Sequence, residues 1–585
     1  MARRKFRKRI GTIDCETDPF EPGIFVYPFL WGVYLDDGTY LEFETVAALV
    51  YWLREEAPDG LILYAHNGGK FDYHFLRDHI ESDDPISVIA GRISRCKIGR
   101  VELRDSLNLF GQTRLADFSK KEIDYKLMRK GVRDQPAVRA EIREYLRYDC
   151  ESLFKLVSTF IERFGLQFTQ AGAAMKYWKK HYAPDGYVPH STAQFYADYH
   201  HVYFGGRVQC FQSGHAFKKF RVYDINSAYP RAMLEKHPYS PNSIVVSKLP
   251  KTDDLISQCF IELDAVAKGC FPLRADDGSL FFPDDERKVR RYKITGWEFL
   301  AALETNTVKI HKIVAVHVFD QSVSFREYVE KFFAMRKEAK AAGDKAQDIF
   351  AKIFLNALYG KWASDPSRYE EFILSSPDTE QFKHWWEAGY RGVEPWGGRI
   401  MLSRPLPLEK VKSRYFNIAT GASITGWVRA HLWKSIQKTS GPIYCDTDAI
   451  AAEEFIGIDE GDALGQWKRE ADCDEYAIGG KKNYCFHIEG KPRDAFEGID
   501  ISPLDVRRQK PLDVRADAKQ WKELRECWKI ASKGTDLSPR ELMAISEGDE
   551  IKFRSQVPNY SVHKNDFTFI DRTVRSTYRD ISLIS

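Results

Sequence analysis

At 585 residues, 43% of them hydrophobic, the chain holds material for several cores and so for several domains. Its 87 basic and 84 acidic side chains leave a net charge of +3, which excludes capture of a polyanion by an overall field and leaves that work to local patches. The ten cysteines form no CxxC pair, which argues against structural zinc and a disulfide framework; a reducing compartment, the cytoplasm, is the simplest expectation. The basic head Arg3 to Arg9 runs into Ile-Gly-Thr-Ile-Asp-Cys-Glu, with acids where a secretory signal needs its apolar core. No uncharged apolar run approaches membrane-spanning length, so no membrane partner is expected.

Ile10 to Thr17 alternates as a strand does and carries Asp14 and Glu16 two apart on one face. Leu61 to His66 is a second apolar strand, leading through Asn67-Gly68-Gly69-Lys70 to Phe71-Asp72, so Asp72 falls at a strand-to-helix transition before Tyr73 to His79. From Ala137 to Phe164 the period is helical, and Tyr145 and Asp149, four apart, stack on one face. Each acid taken singly has a structural reading too, as an edge-strand face, a helix cap or a solvated helix residue.

Taken together, these motifs in the order DxE, Nx3(F/Y)D and Yx3D resemble the DEDD 3′-5′ exonucleases. The resemblance implies an RNase H-like domain in which Asp14, Glu16, Asp72 and Asp149 hold two divalent ions and Tyr145 orients the attacking water. It also implies that Thr17, Asn67, Phe71, Ser106 and Leu107 touch a frayed 3′ end and that Lys120 contacts its phosphate. Phe75 suits base stacking, and equally the core.

His181 to Tyr203 shows no sustained period and is expected to be a domain junction. Tyr203-Phe204-Gly205-Gly206 follows, its two glycines permitting a close backbone approach. Val222 to Asp224 forms the end of a buried strand, with Ser227 as N-cap and Pro230 in the first turn of the next helix. Asp344 to Gly360 is a helix on which Lys352, Asn356 and Tyr359 share one face, either a solvated stripe or a grip for a triphosphate and a base. Ile443 to Ile450 places Asp446 and Asp448 at the tip of an apolar strand pair, two apart and therefore on one strand face, where two anions call for a cation between them. A surface hairpin turn is the other reading of Asp-Thr-Asp.

Tyr203 to Gly206, Asp224 to Pro230, Lys352 to Gly360, Asp446 to Asp448 and Lys482-Asn483-Tyr484 occur in the order YxGG, DxxSLYP, Kx3NSxYG, DTDS and KxY. This set resembles the family B DNA polymerases, in particular the protein-primed branch of small linear-genome phages and linear plasmids. Lys529 to Gly534 resembles the thumb of that branch. Ala228, Ala357 and Ala449 depart from the motifs without removing a carboxylate, the lysine or either tyrosine.

The resemblance implies a multidomain α+β and α/β architecture, an RNase H-like exonuclease domain followed by a right hand of palm, fingers and thumb. The expected division is 1–185 exonuclease, 186–259 palm, 260–330 a first insertion contacting terminal protein and DNA, 331–365 fingers, 366–410 a second insertion for strand displacement, 411–490 palm, and 491–585 thumb. Asp224, Asp446 and Asp448 would hold two Mg²⁺ per site, with Mn²⁺ possible. Tyr229, Lys352, Asn356 and Tyr359 would bind the nucleotide, and Tyr203, Gly205, Gly206, Lys482 and Tyr484 the DNA. The resemblance implies a monomer working in a host cytoplasm, with primer-template DNA, dNTPs and a terminal protein as partners. Glu286 to Lys293 offers a basic face in the first insertion, and Pro503 to Arg507 is repeated at Pro511 to Arg515 with no role assigned. An exonuclease with an inactive polymerase half and a DNA-binding replication accessory are the alternatives.

Overall fold

The strand Ile10–Thr17 (β1) lies inside a seven-stranded sheet, third from one edge, in the computed structural model of the chain. The structure describes residues 9–575 apart from 20–25, 83, 90–91, 112, 114, 116–117, 119–120, 122, 188–190, 397, 408–409, 411–415, 494–517, 533–538 and 560–565. Strands β2 (Pro28–Leu35), β3 (Tyr40–Phe43), β4 (Ile62–Ala65), β5 (Ser87–Ile89), β6 (Arg92–Ile98) and β7 (Val101–Asp105) complete the sheet in the order β3-β2-β1-β4-β7-β6-β5. β1 runs antiparallel to β2 and parallel to β4, which is in turn parallel to β7. The 29-residue helix Pro136–Phe164 covers β1 and β2, tied down where the buried Thr12 hydroxyl donates to the Cys150 carbonyl at 2.8 Å.

The stretch expected to be a domain junction contains the helix Ala193–Tyr199, with Thr192 accepting from the Phe195 amide as its N-cap. Here a capping residue and the buried Phe195 and Tyr199 outweigh the weak period. Beyond it, β8 (Val208–Cys210) and β9 (Gly214–Ile225) enter a second seven-stranded sheet. From β8 at one edge, the order continues Thr439–Asp446, Ala449–Phe455, β9, Trp467–Gly480, Asn483–Ile488 and Trp528–Ser532. The segment Lys529 to Ser532, expected in a separate thumb, is therefore the edge of this sheet, paired with Asn483–Ile488. Residues 533 and 534 of that match, the 503–515 repeat and residues 3–8 of the basic head lie outside the described residues.

A four-stranded and a three-stranded sheet, with two short strand pairs, interrupt this core in sequence. Ser243–Val246, Val308–Phe319, Phe260–Ala267 and Arg290–Thr295 form one; Glu370–Ser375, Arg399–Pro405 and Arg391–Trp396 form the other. The second is fastened to the front sheet by an Ile86–Phe372 bridge and by Arg399 donating to the carbonyls of Asp78 and Ile80.

The helix Lys345–Trp362 starts at Asp344, whose side chain accepts from the Gln347 amide. It buries Phe350, Phe354, Leu358 and Trp362 and leaves Lys352 and Asn356 exposed, as the stripe predicts. Its aromatic face meets the front helices directly: Phe354 stacks on Phe164 at 4.1 Å between ring centroids, Phe350 on Phe110 at 6.0 Å, and Trp362 meets Trp178 edge-on at 5.3 Å. Among the described residues no helix is long and apolar enough to cross a membrane.

Candidate active sites

The front sheet and its long helix bring Asp14, Glu16, Asp72 and Asp149 close enough to feel one another. Burial first, then the charges of Asp72, Glu16 and Asp149, push the Asp14 carboxyl well above its usual range. Burial and the charges of Asp149 and Asp72 push Glu16 up to about 8. Burial raises Asp72 to about 7 against the Cys15 thiol bonded to it, and Asp149 to about 6 against a hydrogen bond donated by Tyr145. That bond is the contact expected from their four-residue spacing. Asp72 is 1% exposed, and its Oδ1 has no hydrogen-bond partner. A buried, unpartnered carboxylate oxygen facing other carboxylates fits a hard cation.

Asp72 is aimed by the loop before it. Asn67 adopts a left-handed φ of 65°, and a Cβ at Gly69 would fall 1.9 Å from the Ile93 carbonyl oxygen, so only glycine fits. The Gly69 amide donates to Asp105 Oδ2 at 3.2 Å, and the Leu107 amide to Asp105 Oδ1 at 2.9 Å. With a bond from the Asn67 amide as well, Asp105 ties the loop before Asp72 to the start of the helix at Leu107. Ser106, expected at a DNA end, is fully buried, its hydroxyl 2.9 Å from His66 Nδ1, so in this structure it braces the loop. Thr17 is also largely covered, its hydroxyl donating to the Asp18 carbonyl. Phe75 is core, edge-on to Phe71 at 5.3 Å. Lys120 lies outside the described residues.

At the second centre Asp224, near the end of β9, pairs in register with Ala449. Asp446 and Asp448 do not share a strand face. Asp446 ends its strand and pairs with Ala449, while Thr447 and Asp448 form the two-residue turn between them, Thr447 at φ 61°. The turn explains the difference, because a left-handed residue rotates the chain between the two carboxylates. It also accounts for Gly206: a Cβ there would lie 2.6 Å from Thr447 Oγ1. The Thr447 amide donates to the Arg207 carbonyl at 2.6 Å, joining the YxGG segment to the turn.

Asp448 faces Asp224. Burial, then the charges of Asp448 and Glu470, push Asp224 up to about 7 against Lys529; burial and Asp446 raise Asp448 to about 6 against Lys482. Asp446 turns to Lys482, whose Nζ donates to its Oδ1 at 2.6 Å. Lys482 sits on a second tight turn at φ 61°, its amide donating to the Tyr444 hydroxyl at 2.9 Å, and Tyr484 packs on Tyr444 with ring centroids 4.6 Å apart.

Sequence reasoning missed Glu470 as a member of this centre. It is the extra residue of a bulge, between Arg469 paired with Tyr223 and Ala471 paired with Val222, and its Oε2 lies 2.5 Å from Lys529 Nζ. A bulge redirects one side chain without leaving a sequence signal. Arg429 was missed as well. It is 2% exposed, pairs through Nε with Glu298 Oε1 at 2.8 Å, and donates through Nη1 to the carbonyls of Phe204 and Gly205. Above the carboxylates Tyr229 and Tyr359 stack face to face, 4.1 Å apart and 4° from parallel. Ser227 occupies the N-cap position but at φ 58° and without a side-chain cap bond.

Among the described residues no group of three or more His, Cys, Asp and Glu side chains is set closely enough to hold a metal ion as it stands. Like charges resist closer approach without a cation between them.

The family model described as DNA polymerase type B, organellar and viral, matches residues 117–388. A DNA-directed DNA polymerase of Enterobacteria phage PRD1 is 31% identical over 588 residues, spanning 98% of this chain and 99% of the phage protein. A probable DNA polymerase of Neurospora intermedia is 24% identical over 59% of this chain and 38% of its own length. In fold, the chain matches the crystal structure of Phi29 DNA polymerase with a TM-score of 0.68 at 17% identity, covering 98% of this chain and 100% of that one. The match to Phi29 DNA polymerase complexed with primer-template DNA and incoming nucleotide substrates has the same score at 16% identity. These likenesses give the architecture, an RNase H-like front domain followed by palm, fingers and thumb. Whole-length identity to the phage enzyme, with five polymerase motifs set around one sheet, places the chain in the type B DNA polymerases of the organellar and viral group, as a DNA-directed DNA polymerase.

Proposed function

We propose that the chain replicates a linear genome in a host cytoplasm, extending a primer at Asp224, Asp446 and Asp448 and editing it at Asp14, Glu16, Asp72 and Asp149. The observation that carries the reading is the raised pair of carboxyls at the rim of the second sheet, Asp224 pushed up by burial and by Asp448, and Asp448 by burial and by Asp446. All-oxygen donor sets at both centres, with the orphaned Asp72 Oδ1 at the first, suit Mg²⁺, two per site, with Mn²⁺ able to substitute. Such ions activate the attacking oxygen and neutralise charge on the leaving one.

The chain's own groups do the rest. Burial and Asp448 hold Asp224 at about 7, so a cation held there would compete with its proton. Lys352 and Asn356, exposed on the helix Lys345–Trp362, meet the triphosphate and the nascent pair. Tyr229 and Tyr359 leave no room for a base between them, so an incoming nucleotide parts their stack, with Tyr229 under the sugar. Lys482 and Tyr484 hold the primer strand beside Asp446, and Tyr203, Gly205 and Gly206 line the DNA path. Tyr145, bonded to Asp149, orients the hydrolytic water while Asn67, Phe71 and Leu107 hold the frayed end.

The division into an exonuclease part to residue 185, two insertions at 260–330 and 366–410, and a thumb after the second sheet belongs to the same proposal. So does initiation on a terminal-protein hydroxyl by a monomeric enzyme. The test is a 5′-labelled primer on a longer template with Mg²⁺. The primer should shorten without dNTPs and lengthen with them. Shortening under both conditions would favour an inactive polymerase half, and no change under either would favour a binding accessory.

A further inference from the structure

A cavity of about 730 Å³ opens between the helix Ala193–Tyr199, the four-stranded sheet and the segment after the helix Lys345–Trp362. One wall is aromatic: Tyr196 and His200 lie nearly parallel, 11° apart with centroids at 5.7 Å, and Tyr203 continues the wall. The rim is cationic. Arg291 and Lys293 are already engaged by Asp264 and Glu262, and Arg368 is 3.4 Å from Asp365. Arg274 is different. It donates to the Tyr203 carbonyl at 2.7 Å and lies over the Phe204 ring at 5.0 Å, with no carboxylate partner among the described residues. Burial and the charges of Lys293 and His200 lower His201 to about 4, so that histidine is neutral at pH 7.

The cavity's neighbours define which strand it can serve. Tyr203 leads in three residues to Gly206, packed on the Thr447 turn, and lies close enough to Tyr359 to influence its hydroxyl. Ala363 and Asp365, on the far wall, follow the end of the helix that carries Tyr359. Lys482, by contrast, is bonded to Asp446 itself and so stands with the strand whose end reacts. Aromatic faces serve only a base that has left its stack, which a duplex does not offer.

We propose that this cavity takes the first unpaired nucleotide of the template strand, its base against Tyr196, His200 and Tyr203 and its phosphate against Arg274 and Arg368. This rests on the reading that Asp224 and Asp448 hold the primer end. The pocket parks the next template base out of line until the nascent pair is complete.

The test uses the full chain and a primer-template with 5-iododeoxyuridine at each of the first four unpaired template positions in turn, irradiated and mapped by mass spectrometry. The expected crosslink runs from one of these positions to Tyr196, His200 or Tyr203. Crosslinks that fall only elsewhere, or that reach the pocket from the duplex, would overturn the proposal. Tyr196→Leu and Arg368→Gln, in side chains at the cavity's surface, should each weaken binding of the overhang-bearing template about tenfold and leave blunt duplex binding unchanged. Equal weakening of both ligands, or of neither, counts against the pocket. Extension of the same primer by the wild-type chain is read alongside: extension without the crosslink sinks the pocket alone, whereas absence of extension sinks the premise about Asp224 and Asp448.

Discussion

The two acidic centres are built on opposite electrostatic plans. At the front, burial and mutual repulsion raise Asp14, Glu16, Asp72 and Asp149, and the causes that oppose them are hydrogen bonds from Cys15 and Tyr145, not cations. On the second sheet, Lys482 is bonded to Asp446 and Lys529 to Glu470, and both lysines moderate their neighbours. A centre with its own lysines keeps its shape without a metal; a buried all-carboxylate centre stores unfavourable charge that only a proton or a metal relieves.

The largest expected effect separates the centres outright. Asp448→Asn should lower primer extension by about 10³-fold or more and spare primer shortening, and Asp14→Ala should do the reverse. Loss of both activities from one folded variant would show that the two centres are not independent.

Next in size is the pH response without divalent metal. Raised carboxyls keep their protons in the fold longer than in the unfolded chain, so their contribution is present at low pH and is lost as pH rises from about 4 through the values near 6, 7 and 8 held by Asp149, Asp72 and Glu16. Melting in a chelator should therefore occur at lower temperature at pH 8 than at pH 5.5, and Mg²⁺ should recover more at pH 8. Asp72→Asn should raise the pH 8 melting temperature by roughly 2–4 °C. A melting temperature flat across this range would remove the contrast between the centres.

The lysine plan is tested by sign. Removing the Glu470 charge with Glu470→Gln should shift the rising limb of the extension pH profile below the wild-type midpoint, and Lys529→Met should shift it above, because the two charges act oppositely on Asp224. Both variants should lose about tenfold in rate. Movement in the same direction would assign the pair a structural role only.

The smallest effect concerns the braced loop. Ser106→Ala removes the Nδ1 partner of His66 and should weaken primer shortening a few-fold through misplaced Asp72, while extension stays constant. Loss of extension instead would place Ser106 outside the front centre.

Motif order and spacing made much of the architecture legible, because a strand of period two carries Asp14 and Glu16, a helix of period 3.6 carries Tyr145 and Asp149, and another carries Lys352 and Asn356. Tyr145 and Asp149 met as their spacing requires, and the Lys352 face pointed outward as its stripe requires. What escaped depends on backbone turns and on distant packing. Asp-Thr-Asp has the same spelling whether strand or turn, and only Thr447 at positive φ decides between them. Glu470 is one acid among many in its strand until the bulge turns it toward Asp224. Arg429 acquires its role from carbonyls more than 200 residues earlier in the chain. The basic stretch 286–293 looked like a free cationic face, yet Arg291 and Lys293 are matched by acids on the neighbouring strand.

The aromatic seam that joins Phe164, Phe110 and Trp178 to Phe354, Phe350 and Trp362 bears on modularity. A chain cut near residue 185 would bare this seam on both halves, so neither catalytic unit is a cassette to be lifted out by its sequence boundaries. Grafting a front unit from another polymerase would require a matching set of rings, and a substitution anywhere along the seam would reach both acidic centres alike.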